Sequence, residues 1–268
     1  MNLLLIGCGN IGSVLLKVWV AKKLFKNIIV IQPSLSHAND FKEYSSVQFV
    51  QHANYIPANF KPTMVVFAIK PQMFHEVMPK VVDYIDKATI VSLMAGIKVE
   101  TIISYVNHNS KIVRIMPNVA IKTGKSVNLA FANDKVLEHD LDYINKIFIS
   151  SGKIFWLQQE KLIDTLSPIS GSGPAYFFLL AETLVQASMR LDIDEEIARE
   201  LVQQILLGSA SLVSETRHFT NLINSVTSKG GITEAALKVM IPAFQSVMEE
   251  ALKEALKRLE ELSNENRS

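Results

Sequence analysis

Cysteine, net charge and long apolar runs are all scarce in this sequence. Its one cysteine, Cys8, leaves no intramolecular disulfide and fits a reducing compartment, so a cytoplasmic location is expected. Twenty-seven basic against 26 acidic residues give a formal charge of +1, too little to draw nucleic acid or an anionic membrane. A bilayer-spanning helix needs about 20 apolar residues. The apolar stretch 176–189 is shorter and carries Glu182 and Gln186, so it reads as a buried helix. The N-terminal run lacks the basic residues that open a secretory signal and is interrupted by Gly7, Asn10 and Gly12, so it belongs to the fold. No low-complexity tract or internal repeat is visible, and no metal site is expected. The partner left by these absences is a small molecule, with no nucleic acid and no membrane.

What is present is apolar surface, 49% of 268 residues, enough for one large core or two smaller ones. The chain opens with an apolar run ending in Gly7, Gly9 and Gly12, the G-x-G-x-x-G spacing. Gly7 would permit a tight strand-to-helix turn, Gly9 a close backbone approach to a pyrophosphate, and Gly12 close packing of helix on strand. The context is a strand over 3–6, a helix over 11–24 and a second strand over 28–31, a βαβ unit. A dinucleotide site is expected; the competing reading is a tight turn alone.

A carboxylate for the ribose hydroxyls of NAD is missing after the second strand, where Gln32-Pro-Ser-Leu-Ser-His37 stands. Gln32 and Ser34 can donate hydrogen bonds to a 2′-phosphate that a carboxylate would repel, so NADP(H) is preferred and NAD(H) stays open. No arginine stands nearby to clamp the phosphate, and an ordinary polar turn is the alternative.

Further strands are expected over 47–50, 64–68, 89–93, 111–115, 127–132 and 153–156, with helices over 73–82 and 134–149. Several strands end in small, proline or amide residues: Ile69-Lys-Pro71, Met94-Ala-Gly96 and Met116-Pro-Asn118. In a doubly wound sheet, ligands lie at such carboxyl ends, so Lys70 borders a cofactor or is a surface lysine before a helix.

Strand-like runs disappear from about residue 162, and long helical segments follow over 174–190, 194–215 and 233–262. The expected architecture is α/β, a Rossmann-like N-terminal domain over 1–158 followed by an all-helical C-terminal dimerisation domain over 159–268. Ser172 is placed as N-cap of the first long helix, with Pro174 in its first turn. That helix is apolar nearly all round, through Phe177, Phe178, Leu179, Leu180 and Leu184, which predicts a homodimer. The charges of the last helix, Glu250 to Glu261, read as a solvated face. Before it, Ser228-Lys-Gly-Gly-Ile-Thr233 can form a turn whose amides point at a carboxylate. Alternatively Thr233 is simply an N-cap, with Gly230 and Gly231 as connector.

The glycine loop, Ala68-Ile-Lys-Pro71, Arg114-Ile-Met-Pro-Asn118, Ser170-Gly-Ser-Gly-Pro-Ala-Tyr176 and Ser228-Lys-Gly-Gly-Ile-Thr233 together resemble pyrroline-5-carboxylate reductase over essentially the whole chain. The resemblance implies NAD(P)H-dependent reduction of a cyclic imino acid to L-proline, the last step of proline biosynthesis, by a homodimer or a ring of dimers. It implies that Gly7, Cys8, Gly9, Asn10, Ile11 and Gly12 hold the pyrophosphate. Gln32, Ser34 and Asn54 would lie near the adenosine ribose, and Ala68, Ile69, Lys70, Pro71, Ala95 and Asn118 would line the cofactor. Ser228, Gly230, Gly231, Ile232 and Thr233 would bind substrate. The catalytic candidates are Thr233, its hydroxyl near the imine nitrogen, and Glu160, which precedes Lys161-Leu-Ile-Asp164 and would stabilise the iminium.

Three departures from that family concern prolines. Lys229 replaces the proline of S-P-G-G, Ala120 that of P-N-T-P, and the proline usual beside His218 is absent. Each loss adds backbone freedom, and Lys229 offers a charge that attracts a carboxylate. Two other functions remain as alternatives: a catalytically weak NADP-binding sensor or assembly module, and a β-hydroxyacid dehydrogenase, against which the absence of lysine in 170–176 argues.

Overall fold

A computed structural model describes residues 1–85, 87–214, 216 and 218–265, with side chains through 261. The expected helix end at Glu215 lies outside the described residues. The chain divides into two compact units, Met1–Gly171 with the segment from Leu259 onward, and Ser172–Arg258. The change of unit therefore falls later than the expected 158/159 boundary.

The first unit is built on an eight-stranded sheet in the order β3-β2-β1-β4-β5-β6-β7-β8. Its strands are β1 (Asn2–Ile6), β2 (Asn27–Ile31), β3 (Val47–Val50), β4 (Met64–Phe67), β5 (Thr89–Ser92), β6 (Ile112–Met116), β7 (Ser126–Ala132) and β8 (Gly152–Trp156). All neighbours run parallel except β6 and β7, where Arg114 pairs with Phe131 in antiparallel register. Successive side chains of a strand point to opposite faces. Leu3 and Leu5 accordingly enter one core with Trp19 and Phe148, while Leu4 and Ile6 enter another with Phe67 and Phe74. An unbroken apolar run is what a sheet covered on both faces requires.

Helix α1 (Asn10–Ala21) and a later helix at Glu138–Phe148 contribute to the first core; α2 (Phe74–Val81) and α3 (Val99–Ile103) contribute to the second. The helix at Glu138–Phe148, α4, starts four residues after the expected Asp134, where Asp140 accepts the Leu137 amide at 3.0 Å. The expected 73–82 helix begins with a 3-10 turn at Pro71–Met73, and α1 stops before Lys23, whose φ of 51° lies in the left-handed region. Trp19 Nε1 donates to Ile147 O at 2.9 Å, joining α1 to α4. Helix α5 (Lys161–Ser170) completes this unit. Because strand order reverses at the β1/β4 boundary, the carboxyl ends there leave a crevice in which doubly wound sheets bind ligands.

The second unit contains α6 (Gly173–Met189), α7 (Glu195–Leu212), α8 (Phe219–Ser225) and the part of α9 (Ile232–Glu265) that precedes Leu259. Asp194 caps α7 by accepting from the amides of Glu196 at 2.9 Å and Ile197 at 3.3 Å. Arg199 on α7 reaches Glu182 on α6 at 3.1 Å. Ser172 does occupy the N-cap of α6, but its side chain makes no capping bond. The buried core of this unit consists of Val185, Ala198 and Val202, while Phe177, Phe178 and Leu179 are 60–68% exposed.

Candidate functional site

Three backbone requirements meet in the glycine loop. Gly7 has φ +89°, and a Cβ there would lie 2.7 Å from Ala68 O and from Ile69 Cγ2. A Cβ on Gly12 would lie 2.7 Å from Gly7 O. Gly9 is different, because a Cβ there would meet no protein atom within 4 Å. Its lack of a side chain does not serve packing and leaves space against the loop backbone. Gly9 is also the N-cap of α1, with no side-chain cap and no acid in the first turn. The amides of Asn10, Ile11 and Gly12 therefore face outward with the positive end of the helix dipole. This arrangement fits the pyrophosphate of a dinucleotide.

Cys8 is buried within the loop, where burial, aided by the charge of Asp40 and opposed by Lys17, pushes its thiol up to about 12. It is a packed small residue. Its amide donates to Gln32 Oε1 at 2.9 Å, and Gln32 Nε2 donates to Ser34 Oγ at 2.9 Å, so one amide side chain ties the glycine loop to the end of β2. Ser34 Oγ then reaches Ser36 Oγ at 3.1 Å. Ser36 was not among the expected residues; the turn at Leu35, whose φ is 51°, brings its hydroxyl to Ser34. Asn54 is exposed on a 3-10 turn, Ala53–Tyr55, that follows β3.

The carboxyl ends of β4 and β5 bring together Ala68, Ile69, Lys70, Pro71 and Ala95. Ala68 and Ile69 pack at Gly7, and Lys70 is exposed before the Pro71 turn. A cavity of about 190 Å³ is lined by Pro71, Gln72, Ala95, Gly96, Arg114 and Asp164, among others. Arg114 is 2% exposed and donates to Glu160 at 2.7 Å and to Asp164 at 3.4 Å. Sequence reasoning missed the role of Arg114; its signal was a lone arginine inside an apolar strand. Glu160, expected to stabilise the iminium, stands at the N-cap of α5, where its carboxylate accepts from Arg114 and from the Val99 amide. Asn118 is also spent internally. Its Nδ2 donates to Ser170 O at 2.8 Å, and its Oδ1 accepts the Ala120 amide at 3.1 Å.

In the second unit, the turn before α9 is shaped by Gly230, with φ +75°, and by Gly231, whose missing Cβ makes room for Ser228 Oγ. The Gly230 amide donates to Glu234 Oε2 at 2.7 Å, and the Gly231 amide to Ser228 O at 3.0 Å. Thr233 is not an N-cap, the alternative reading of its residue type. The helix begins at Ile232, and the Ala235 amide bonds to Gly231 O at 3.2 Å, which makes Thr233 the second helical residue. The amides of Ile232 and Thr233 are first-turn donors without partners inside the helix, suited to an anion. Ile232 is 91% exposed and Ser228 is exposed beside it. Among the described residues, no cluster of three or more potential ligands could hold a metal, and no helix is long and apolar enough to cross a membrane.

Known proteins match both parts of the chain. Residues 160–262 match the family described as pyrroline-5-carboxylate reductase dimerisation, and residues 2–96 the family described as NADP oxidoreductase, coenzyme F420-dependent. A pyrroline-5-carboxylate reductase from Haemophilus influenzae is 34% identical over 224 residues, covering 82% of each chain. A pyrroline-5-carboxylate reductase structure from Coxiella burnetii superposes with a TM-score of 0.88 at 31% identity, covering 97% of this chain and 98% of that one. The Plasmodium falciparum pyrroline carboxylate reductase with NADP bound gives a TM-score of 0.80 at 25% identity, covering 98% of both.

Proposed function

The chain belongs to the pyrroline-5-carboxylate reductase family, and we propose that its glycine loop and its Ser228 to Thr233 turn are the cofactor and substrate sites of that activity. The protein is an oxidoreductase that reduces 1-pyrroline-5-carboxylate to L-proline with NADP(H), NAD(H) being open to it as well. The observation that carries the cofactor assignment is the open space at Gly9 above the unpaired first-turn amides of α1.

When bound, NADPH supplies the hydride; the chain supplies placement and electrostatics. The amides of Asn10, Ile11 and Gly12 would hold the pyrophosphate, in a loop whose turn and close packing Gly7 and Cys8 provide and where Gly9 leaves open space. Gln32 donates to Ser34 and Ser34 to Ser36, so the Ser36 hydroxyl and the second Gln32 Nε2 hydrogen would be the donors offered to a 2′-phosphate at the end of β2, with Ser34 orienting them. Ala68, Ile69, Lys70, Pro71 and Ala95 border the rest of the dinucleotide. On the substrate side, the Ser228 hydroxyl and the amides of Ile232 and Thr233 hold the carboxylate, with Lys229 adding attraction. The Thr233 hydroxyl orients the imine nitrogen, which arrives protonated, so the alcohol need not act as an acid.

The second unit exposes the apolar faces by which the chain forms a homodimer, with a ring of dimers as a further assembly. The single buried cysteine suits a cytoplasmic setting.

Following NADPH oxidation tests the proposal. Turnover of pyrroline-5-carboxylate is expected, whereas turnover only of hydroxy or keto acids, or NADPH binding without turnover, would overturn it. Thr233→Ala is expected to lower kcat about tenfold with NADPH affinity nearly unchanged; unaltered kcat would remove Thr233 from the mechanism.

A further inference from the structure

One oxygen of Glu160 joins three chain segments. Oε1 accepts two hydrogen bonds of 2.7 Å, from the backbone amide of Val99 at the start of α3 and from Nη1 of Arg114 on β6, while Glu160 itself stands at the head of α5. The other arm of the Arg114 guanidinium reaches Asp164 at 3.4 Å, one turn further along α5. With Arg114 only 2% exposed, both the charge and its planar fork are held by these carboxylates.

The segment so anchored matters to the cavity. Between Ser92, the last residue of β5, and Val99 lie Ala95 and Gly96, both of which line it. Gly96 has φ +74°, and the Met94 amide reaches Ser92 Oγ only at 3.4 Å. The amide of Val99 is the first of α3, so its own helix offers it no acceptor. Glu160 provides that acceptor, and Arg114 fixes the carboxylate that provides it.

We propose that Glu160 is a positioning residue for hydride transfer: held by Arg114, it fixes the backbone of 95–99 where that backbone borders the reacting end of the cofactor. The inference rests on the cavity at Ala95 belonging to the reductase site. Glu160 does not act on the iminium. Its effect passes through Val99 and Ala95, and misplacement by a fraction of an ångström is enough to slow a transfer that depends on alignment.

Two single variants and their double test it. Glu160→Gln removes the charge that holds Arg114. Val99→Pro removes the amide donor and leaves the Arg114 pair in place; Lys98, at φ −81° and ψ 159°, already has the conformation that precedes proline, and proline is tolerated at a first helical position. Each variant is expected to lower kcat about tenfold, with KM and NADPH affinity within about twofold. The primary deuterium isotope effect on kcat, measured with NADPH labelled at the transferred hydrogen, should rise. The double variant should be no more than about threefold worse than the poorer single one, because both break one link.

Wild-type kcat in Val99→Pro with a loss in Glu160→Gln would overturn the inference by showing that the carboxylate acts directly. A rise in KM at constant kcat, or wild-type kcat in both variants, would overturn it too. If Glu160→Gln does not fold to a dimer, Val99→Pro alone decides. Wild-type protein without turnover would defeat the functional reading and this inference together, whereas active wild type with undiminished variants defeats only the inference.

Discussion

On β1 of the first unit, Leu3, Leu4, Leu5 and Ile6 are at most 1% exposed, while on α6 of the second, Phe177, Phe178 and Leu179 are 60–68% exposed. Both stretches are runs of consecutive apolar residues. The difference is what covers them. A central strand has helices on both faces and neighbours on both edges, so a single protomer buries it. A helix apolar all round needs neighbours on every side, and the second unit contributes only Val185, Ala198 and Val202 as buried core. The first unit buries its own apolar runs, while the second, which matches a dimerisation family, leaves apolar surface exposed.

The largest effect expected from this contrast follows Leu179→Glu. If this exposed apolar face is the one that pairs, a charge on it should weaken dimerisation by about 3–5 kcal/mol, seen as monomers in size-exclusion chromatography with light scattering. NADPH binding by the first unit should survive. Persistence of the dimer would show that this α6 face lies outside the interface.

Gly9→Val probes the first unit in the complementary way. Because a Cβ there meets no protein atom, the melting temperature should shift by less than about 2 °C, while NADPH affinity should fall on the order of 100-fold. Calorimetric titration and thermal melting check the two halves separately, and a large stability loss with intact affinity would reverse the assignment of Gly9.

A smaller effect is expected of Asp140→Asn. Burial raises the Asp140 carboxyl, but the Lys111 hydrogen bond, the Leu137 amide and the charges of Lys111 and His139 together hold it below its ordinary 3.8. A carboxylate depressed in the fold adds stability that is fully present above its unfolded pKa and is lost as pH falls through the folded value. Lys111 is 30% exposed, so solvent screens the pair, and the variant should cost about 1 kcal/mol at pH 7. In denaturant melts this cost should shrink below about pH 4; a cost independent of pH would exclude the charge as its source.

The smallest effect concerns Cys8. With its thiol pushed up to about 12 by burial, native protein at pH 8.5 should take up almost no iodoacetamide, whereas unfolded protein should be labelled. Labelling at equal rates would mean that the loop opens readily.

Much of the first unit is legible locally. The strand at 47–50 is found where expected, the other strands begin or end within a residue or two, and the glycine spacing points to the helix terminus that the fold supplies. The errors fall where neighbours decide. Nothing in 126–132 reveals that β7 runs antiparallel, because alternation is the same in either direction. Helix α5 escaped notice, since Pro168 interrupts a short helical pattern. Thr233 looks like a cap by residue type, yet Gly231 takes that place because Ser228 folds back onto its amide. Glu160 and Arg114 each stand out in the sequence, but they lie 46 positions apart, and their pairing appears only when β6 and α5 meet.

Residue order therefore determined the two-part architecture, the dinucleotide loop and the absence of a ribose acid, because each depends on periodicity or spacing within a few dozen residues. Tertiary structure decided how the loop is held to Gln32, which oxygen carries Val99, and that Asn118 is an internal brace. Those facts depend on distances between residues far apart in the chain, which folding sets and local pattern does not encode. The glycine spacing announces a dinucleotide loop; the packing of Gly7 on Ala68 and Ile69 and the Cys8–Gln32 bond set its shape.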